Sequence, residues 1–129
     1  MKVYLSVPMI ANRALPRARL MEKAIKDAGH EIISPWVLGP IENADPSIAN
    51  VFQRDKRASE ECDIIIADIT EPSIGVGMEL MAAYIAGRRI ILVAKKGKVA
   101  SRMLLHMDRK ETVEYEVEDE IYPGLRSIL

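Results

Sequence analysis

One stretch of the chain, residues 62–80, contains the repeating unit of the fold: CDIIIADITEPSIGVGMEL. Its first part, Cys62 to Ile69, is almost continuously apolar and β-branched, as in a parallel strand that is covered on both faces. Pro72 then ends the hydrogen bonding of the strand, because proline has no N–H to donate. The segment from Ile74 to about Gly87 has the pattern of a helix. The stretch therefore predicts a buried strand, a turn and a helix.

The segments on either side repeat this alternation. Further strands are predicted at Lys2–Val7, Glu31–Ser34, Arg88–Lys95 and Thr112–Tyr115, a loop at Trp36–Asp45, and further helices at Ala14–Ala28, Asp45–Glu61, Val99–Met107 and Val117–Leu129. Alternating strands and helices indicate an α/β protein. We expect a flavodoxin/Rossmann-like three-layer sandwich with a five-stranded, mainly parallel sheet. In such sheets, ligands bind at the carboxyl ends of the strands.

The length and charge of the chain limit its partners. Its 129 residues suit a single domain, residues 1–129, with one hydrophobic core. The formal net charge is −1, so no overall field attracts a nucleic acid polymer or an anionic membrane. A phosphate on a small-molecule substrate must therefore be held by local groups.

The remaining composition points to a cytoplasmic protein without a metal or a cofactor. The single cysteine, Cys62, cannot form an internal disulfide, which suits a reducing compartment. The N-terminal apolar run is too short for a signal peptide or a membrane span. His30 and His106 are isolated in the sequence, which argues against a metal site. The loop after the first strand has no glycine, which argues against a dinucleotide cofactor.

The turn after the central strand contains the candidate chemistry. Ser73 lies where a helix begins, so its hydroxyl and the neighbouring N–H groups could hold a phosphate. Gly75 and Gly77 let the backbone approach a ligand closely. Glu79 lies in the first turns of the helix, from which a carboxylate can point back to the strand ends. Each feature alone is also typical of an ordinary turn followed by a surface glutamate.

The joint pattern resembles a known family. PSIGVGMEL, which follows an apolar strand and a helix with an aspartate, is similar to the nucleoside 2-deoxyribosyltransferase superfamily. It looks closest to the branch that hydrolyses 2'-deoxynucleoside 5'-monophosphates to free base and 2-deoxyribose 5-phosphate. The resemblance implies that Glu79 is the nucleophile. It would attack the anomeric carbon to form a glycosyl-enzyme intermediate, which water then hydrolyses.

Two further residues acquire catalytic roles from this resemblance. Asp55 matches the second acidic residue of the family, which helps to protonate the leaving base or to activate water. Without the resemblance it would be interpreted as a surface residue between Arg54 and Lys56. Tyr4 matches a tyrosine near the nucleophile, whose hydroxyl orients Glu79 or the sugar.

The resemblance also implies a shared active site. Ser73 matches a phosphate-binding serine, and Ser101 matches a second serine that the family delivers from the partner subunit. Met103 would then pack near the ligand. A homodimer with a shared active site, which binds a nucleotide or a nucleoside, is therefore expected.

The first loop departs from the family pattern. Pro8 and Ile10 stand where the hydrolases have a serine and an arginine, and the loop contains no glycine. Arg13, or else Arg19, could supply the missing cation. Trp36 stands where the family often has a histidine, and its indole could stack on the base. A ribonucleotide, an unphosphorylated nucleoside or a modified base therefore remain open as substrates.

Two other functions are compatible with the sequence. One is a nucleoside 2-deoxyribosyltransferase, which passes the sugar to a second base. The other is a non-catalytic nucleotide-binding module, since this kind of fold supports many functions. The presence of both Glu79 and Asp55 argues against the non-catalytic module. The base preference and the sugar cannot be read from the sequence.

Overall fold

The computed structural model describes residues 1–9, 14–39, 50–98 and 101–129. The strands are β1 (Lys2–Ser6), β2 (Glu31–Ile32), β3 (Ile64–Asp68), β4 (Arg89–Lys95) and β5 (Lys110–Tyr115). The helices are α1 (Leu15–Asp27), α2 (Val51–Glu61), α3 (Ile74–Ile85), α4 (Arg102–Leu105) and α5 (Ile121–Ile128). Strands and helices therefore alternate along the chain, as predicted.

The five strands form one sheet in the order β2-β1-β3-β4-β5. Every pair is parallel, with Tyr4 opposite Ile65 and Ile65 opposite Ile90. The predicted α/β sandwich is confirmed, and the sheet is parallel throughout rather than mainly parallel. The chain passes from β1 outward to β2 and then returns to β3 on the other side of β1. This is the point at which strand order reverses, where ligands of such sheets bind.

Both faces of the sheet are covered, because successive side chains of a strand point to opposite faces. Leu5 and Ile66 pack in the layer formed with α1 and α5. Tyr4 and Ile65 pack in the layer that contains Val76 and Leu80 of α3, with Ala58 of α2 against it. Burial on both sides explains why the central strands are almost purely apolar in sequence.

A buried ion pair ties the start of α1 to the end of β3. Arg17 Nε donates to Asp68 Oδ2 at 2.8 Å, and the backbone N–H of Thr70 donates to the other oxygen of Asp68 at 3.0 Å. Thr70 Oγ1 lies 2.7 Å from the hydroxyl oxygen of Tyr115. Removing one member of a buried pair costs about 3–5 kcal/mol. The turn that leads to Ser73 is therefore firmly held.

Several boundaries differ from the predictions. The predicted loop at Trp36–Asp45 is wrong in its first part, because Pro35–Leu38 is a 3₁₀ turn with proline at its start. The last segment likewise begins as a 3₁₀ turn, Glu118–Glu120, before α5. The predicted helix start at Asp45 lies outside the described residues, and α2 is described from Val51.

None of the helices within the described ranges is both long enough and apolar enough to cross a membrane.

Candidate active site

The start of α3 fixes which side chains of this helix face the sheet. Ser73 caps the helix, because its hydroxyl oxygen accepts the N–H of Val76 at 3.3 Å. Gly75 and Glu79 lie one turn apart and so share a side of α3. A β-carbon added at Gly75 would lie 4.0 Å from Glu79 Oε1, so this glycine keeps space open next to the carboxylate.

Glu79 reaches the end of β1. The hydroxyl of Ser6 donates to Glu79 Oε2 at 2.8 Å. Ser6 comes two residues after Tyr4 on the same strand, so both side chains point to the face that α3 covers. Tyr4 is fully buried, and its hydroxyl lies near the carboxylate of Glu79 without completing a hydrogen bond to any described residue. The carboxylate of Glu79 is nevertheless close enough to act on its ionisation.

The surroundings of Glu79 weaken its acidity. Burial is the main cause, and together with the negative charge of Asp55 it raises the pKa of Glu79 to about 7. The hydrogen bond from Ser6 and the positive charge of Arg54 oppose this rise. Both the protonated and the ionised forms of Glu79 are therefore populated near neutral pH.

Tyr4 remains protonated in this environment. Burial, followed by the charges of Glu79 and Asp55, raises the pKa of its hydroxyl far above the usual range. Because a protonated phenol is a hydrogen-bond donor, Tyr4 can donate to a carboxylate or to a sugar oxygen in the cleft.

The opposite wall of the cleft comes from α2 and from the turn after β2. Asp55 is 19% exposed and accepts a hydrogen bond from Arg54 Nε at 2.9 Å. The guanidinium of Arg54 lies over the ring of Trp36, 4.2 Å from its centre. Trp36 in turn contacts Tyr4 edge to face, with 6.3 Å between the ring centres. We call the group formed by Tyr4, Trp36, Arg54, Asp55 and Glu79, together with Ser6, the Glu79 cleft.

Two polar atoms of this cleft are buried without a partner in the described parts of the chain. They are the hydroxyl of Tyr4 and the indole N–H of Trp36. Buried polar groups are almost always hydrogen-bonded to protein, to water or to a ligand. The Glu79 cleft therefore has the unsatisfied donors that a bound polar molecule requires.

A second group of predicted residues lies elsewhere. Ser73, Gly77, Ser101 and Met103 line a cavity of about 920 Å³ between α3 and α4, which we call the α3–α4 cavity. Ser101 caps α4 by accepting the N–H of Leu104 at 3.3 Å. Glu79, Tyr4 and Asp55 do not line this cavity. Within one chain, the structure thus separates the predicted catalytic residues from these four predicted ligand-binding residues.

The residues predicted in the first loop are only partly described. Pro8 is buried directly after β1. Ile10 and Arg13 lie outside the described residues. Arg19, the alternative cation, is engaged by Glu22 and by the carbonyl oxygen of Leu38. In the described ranges, no group of three or more His, Cys, Asp or Glu side chains is arranged to hold a metal ion.

Two residues of the cleft were not predicted from the sequence. Ser6 could have been found from its spacing, since it lies two residues after Tyr4 on the same strand. Arg54 could have been found only as the neighbour of Asp55, because its position over Trp36 depends on how α2 packs. Most residues of α2 around Arg54 are charged, so the sequence alone does not show that Arg54 is the one that faces the cleft.

Comparison with known proteins shows the family. No family model matches the chain. A Thermofilum pendens protein, provisionally named 2'-deoxynucleoside 5'-phosphate N-hydrolase 1, is 31% identical over 104 residues, which cover 78% of this chain and 73% of that protein. The chain belongs to this N-hydrolase family.

Other comparisons place this N-hydrolase family member among enzymes of related names. The 5-hydroxymethyl-dUMP N-hydrolase of Danio rerio is 34% identical over 71 residues, which cover 54% of this chain and 48% of that protein. The structure of a CMP N-glycosidase from Clostridium botulinum superimposes with a TM-score of 0.71 at 19% identity and covers all of both chains. At this identity the match shows a shared fold.

Proposed function

We propose that this protein hydrolyses the N-glycosidic bond of a 2'-deoxynucleoside 5'-monophosphate, with Glu79 as the nucleophile. The observation that carries the proposal is the Glu79 cleft. It combines a buried carboxylate, a second carboxylate at Asp55 and the unpartnered hydroxyl of Tyr4. Membership of the N-hydrolase family supports the same reaction.

The first step is a displacement at the anomeric carbon. A carboxylate oxygen of Glu79 forms a bond to this carbon while the bond from the carbon to the base nitrogen breaks. The base leaves with the electron pair of that bond and takes a proton from a water molecule that Asp55 orients, which leaves a hydroxide ion. The product of the step is a glycosyl ester on Glu79 and a free base.

The second step restores the enzyme. The carboxylate of Asp55 takes a proton from a second water molecule as the oxygen of that water attacks the same anomeric carbon, and the proton then passes to the hydroxide left by the first step. The bond from that carbon to Glu79 breaks, which releases 2-deoxyribose 5-phosphate. The hydroxyl of Ser6 keeps donating to Glu79 and so stabilises the carboxylate that leaves.

The remaining predicted residues are proposed to bind the substrate. The hydroxyl of Ser73 accepts the N–H of Val76 but still has its own proton to donate to a phosphate oxygen. Gly75 keeps space open beside Glu79. The other proposed contacts are Pro8, Ile10, Arg13, Trp36, Gly77, Ser101 and Met103.

We further propose a homodimer in which Ser101 serves the active site of the partner. Ile74, Met78, Met81 and Ile85 recur at helical spacing along α3 and leave large parts of their surfaces exposed, as does Met103. We call the four residues on α3 the α3 apolar stripe. A contiguous exposed apolar surface of this kind is typical of an interface. Pairing of two copies would also bring Ser101 near a second chain, which would explain its separation from Glu79.

The proposed setting of this reaction is the cytoplasm, with residues 1–129 acting as one domain. The single cysteine supports a reducing compartment, because Cys62 is a free thiol with no second cysteine in the chain to pair with.

Product analysis tests the proposal. Ribo- and deoxyribonucleotides and the corresponding nucleosides are incubated with the enzyme, with and without a free acceptor base, and the released bases are quantified by chromatography. We expect hydrolysis of deoxynucleoside 5'-monophosphates without an acceptor. Glu79→Gln should reduce the rate about a thousandfold or more, as for other covalent nucleophiles.

Other outcomes select the alternatives. Exchange of bases without hydrolysis would identify a deoxyribosyltransferase. Binding of nucleotides without release of base, in the wild-type protein and in Glu79→Gln alike, would identify a non-catalytic binding module.

A further inference from the structure

Arg54 is held by two contacts at the wall of the Glu79 cleft. Its guanidinium lies 4.2 Å from the centre of the Trp36 ring, and its Nε donates to Asp55 Oδ1 at 2.9 Å. The side chain is 39% exposed, which leaves one part of the guanidinium in solvent and the rest against the protein. An aromatic face and a carboxylate together match the planar, fork-shaped guanidinium better than they match the ammonium of lysine.

The positive charge of Arg54 reduces the repulsion between two carboxylates of the cleft. Glu79 and Asp55 are neighbouring carboxylates in a partly buried cleft, where like charges repel more strongly than in water. Among the described residues, the groups that act on Glu79 are Tyr4 and Ser6 from β1, and Asp55 and Arg54 from α2. Of these four groups, Asp55 favours the protonated form of Glu79. The hydroxyls of Ser6 and Tyr4 favour the ionised form, and Arg54 favours it as well, more weakly, through its positive charge.

The indole ring of Trp36 is in contact with both Arg54 and Tyr4. Arg54 covers one face of the indole, and Tyr4 contacts the ring edge to face. A base that stacks on the covered face would have to displace the guanidinium. On this face the indole therefore supports Arg54, while its N–H remains available to a substrate.

We propose that Arg54 is a positioning residue of this site: held between the Trp36 ring and Asp55, it fixes Asp55 in the cleft and supplies the charge that allows two neighbouring carboxylates to work as a pair. The inference rests on the proposed function, since it assigns Arg54 a part in the same reaction. It goes beyond the proposed function because it also predicts how Arg54 affects the titration of Glu79 in the protein without substrate.

The first test follows the carboxyl group of Glu79 by ¹³C NMR as pH is varied, with the resonance assigned by its loss in Glu79→Gln. Arg54→Met removes the charge and keeps a long side chain. We expect the midpoint of the Glu79 titration to rise by about half a pH unit, because the charge of Arg54 is the weakest of the influences on Glu79 and its side chain is partly exposed. Arg54→Lys should give an intermediate value, because it keeps the charge and loses the planar fork.

The matched control is Arg57→Met. Arg57 lies one turn further along α2, where it is exposed and paired with Glu61. This variant removes the same charge from the same helix, and the midpoint for Glu79 should stay at its wild-type value. If Arg54→Met and Arg57→Met titrate alike, the proposal is wrong.

The second test is the pH profile of base release. In Arg54→Met, kcat/KM at pH 7 should fall about twofold from the lower ionised fraction of Glu79 alone. Misplacement of Asp55 should lower it further. The deficit should narrow at higher pH, which a general loss of structure would not produce. A deficit that is the same at every pH would overturn the electrostatic role. If the wild-type protein releases no base from any substrate, the proposed function fails, whereas the NMR titration still decides the role of Arg54.

Discussion

On one side of α3, Glu79 is largely buried and accepts a hydrogen bond from Ser6. On the other side, Ile74 and Ile85 leave 87% and 78% of their surfaces exposed, and the α3–α4 cavity opens beside Ile74. Neighbouring residues of a helix are turned about 100° from each other, so Met78 and Glu79 belong to different environments although they are adjacent. The difference supports the proposal that one helix serves both the reaction within its own chain and the assembly of two chains.

The largest expected effect comes from mixing two inactive variants. Glu79→Gln lacks the nucleophile, and Ser101→Ala lacks the proposed partner serine. If the active site is shared, mixed dimers contain one intact site, and about a quarter of all sites in an equal mixture are restored. Base release is measured after co-expression or after joint refolding. An equal mixture no more active than the average of the two separate variants would show that Ser101 does not act across the interface.

A charge on the α3 apolar stripe should disrupt assembly. Ile85→Glu is expected to shift the protein to a monomer at micromolar concentration, as measured by sedimentation, with a loss of base release of about tenfold or more, because an unpaired charge opposes burial. Val117→Glu is the control, since Val117 is also exposed and lies outside the stripe. A dimer that persists in Ile85→Glu would place the interface elsewhere.

The pH dependence of base release tests the role of Glu79. Because Glu79 must be ionised to attack, and its pKa lies at about 7, kcat/KM should rise about tenfold per pH unit below pH 7 and level off above it. Glu79 as a general acid would give the opposite direction, with a fall above pH 7. The profile of kcat/KM is measured from pH 5 to 9 with the same nucleotide.

Glu79 should also make stability depend on pH. Its folded pKa of about 7 exceeds the ordinary value of 4.5, so the folded state binds more protons than the unfolded state between these values. The free energy of unfolding therefore falls as pH rises through this window. Glu79→Gln removes this effect. Above pH 7 the variant should be more stable than wild type by about 1–2 kcal/mol, a figure that allows for solvent screening in the open cleft. Below pH 4.5 the two proteins should be equally stable. Chemical denaturation at pH 4 and pH 8 measures this, with the exposed Glu114→Gln as the control; a gain of the same size at both pH values would contradict it.

The smallest expected effect compares two glycines of α3. Gly75→Ala puts a methyl group 4.0 Å from Glu79 Oε1, whereas a methyl group at Gly77 meets no atom within 4 Å. Both changes favour the helix by up to about 1 kcal/mol. Base release should fall a few-fold in Gly75→Ala and less in Gly77→Ala. Equal rates would indicate that the substrate does not approach Gly75.

The order of strands and helices followed from the sequence, because hydrophobic periodicity depends on neighbouring residues. The strand from Ile64 to Asp68 is apolar on both faces and could only be central. The motif from Ser73 to Glu79 likewise identified the family and the candidate carboxylate. These features depend on residues that are close together in the chain, so they can be predicted from the sequence alone.

Only the tertiary structure brought Ser6 to Glu79, two residues separated by 73 positions in the chain, and placed Arg54 over Trp36. It also divided the predicted site into the Glu79 cleft and the α3–α4 cavity, although Gly77 and Glu79 are only two residues apart. Such relations depend on the angle at which a helix packs on the sheet and on the rotamers that packing allows. The sequence therefore determined the elements and the candidate chemistry, and tertiary packing determined which side chains meet.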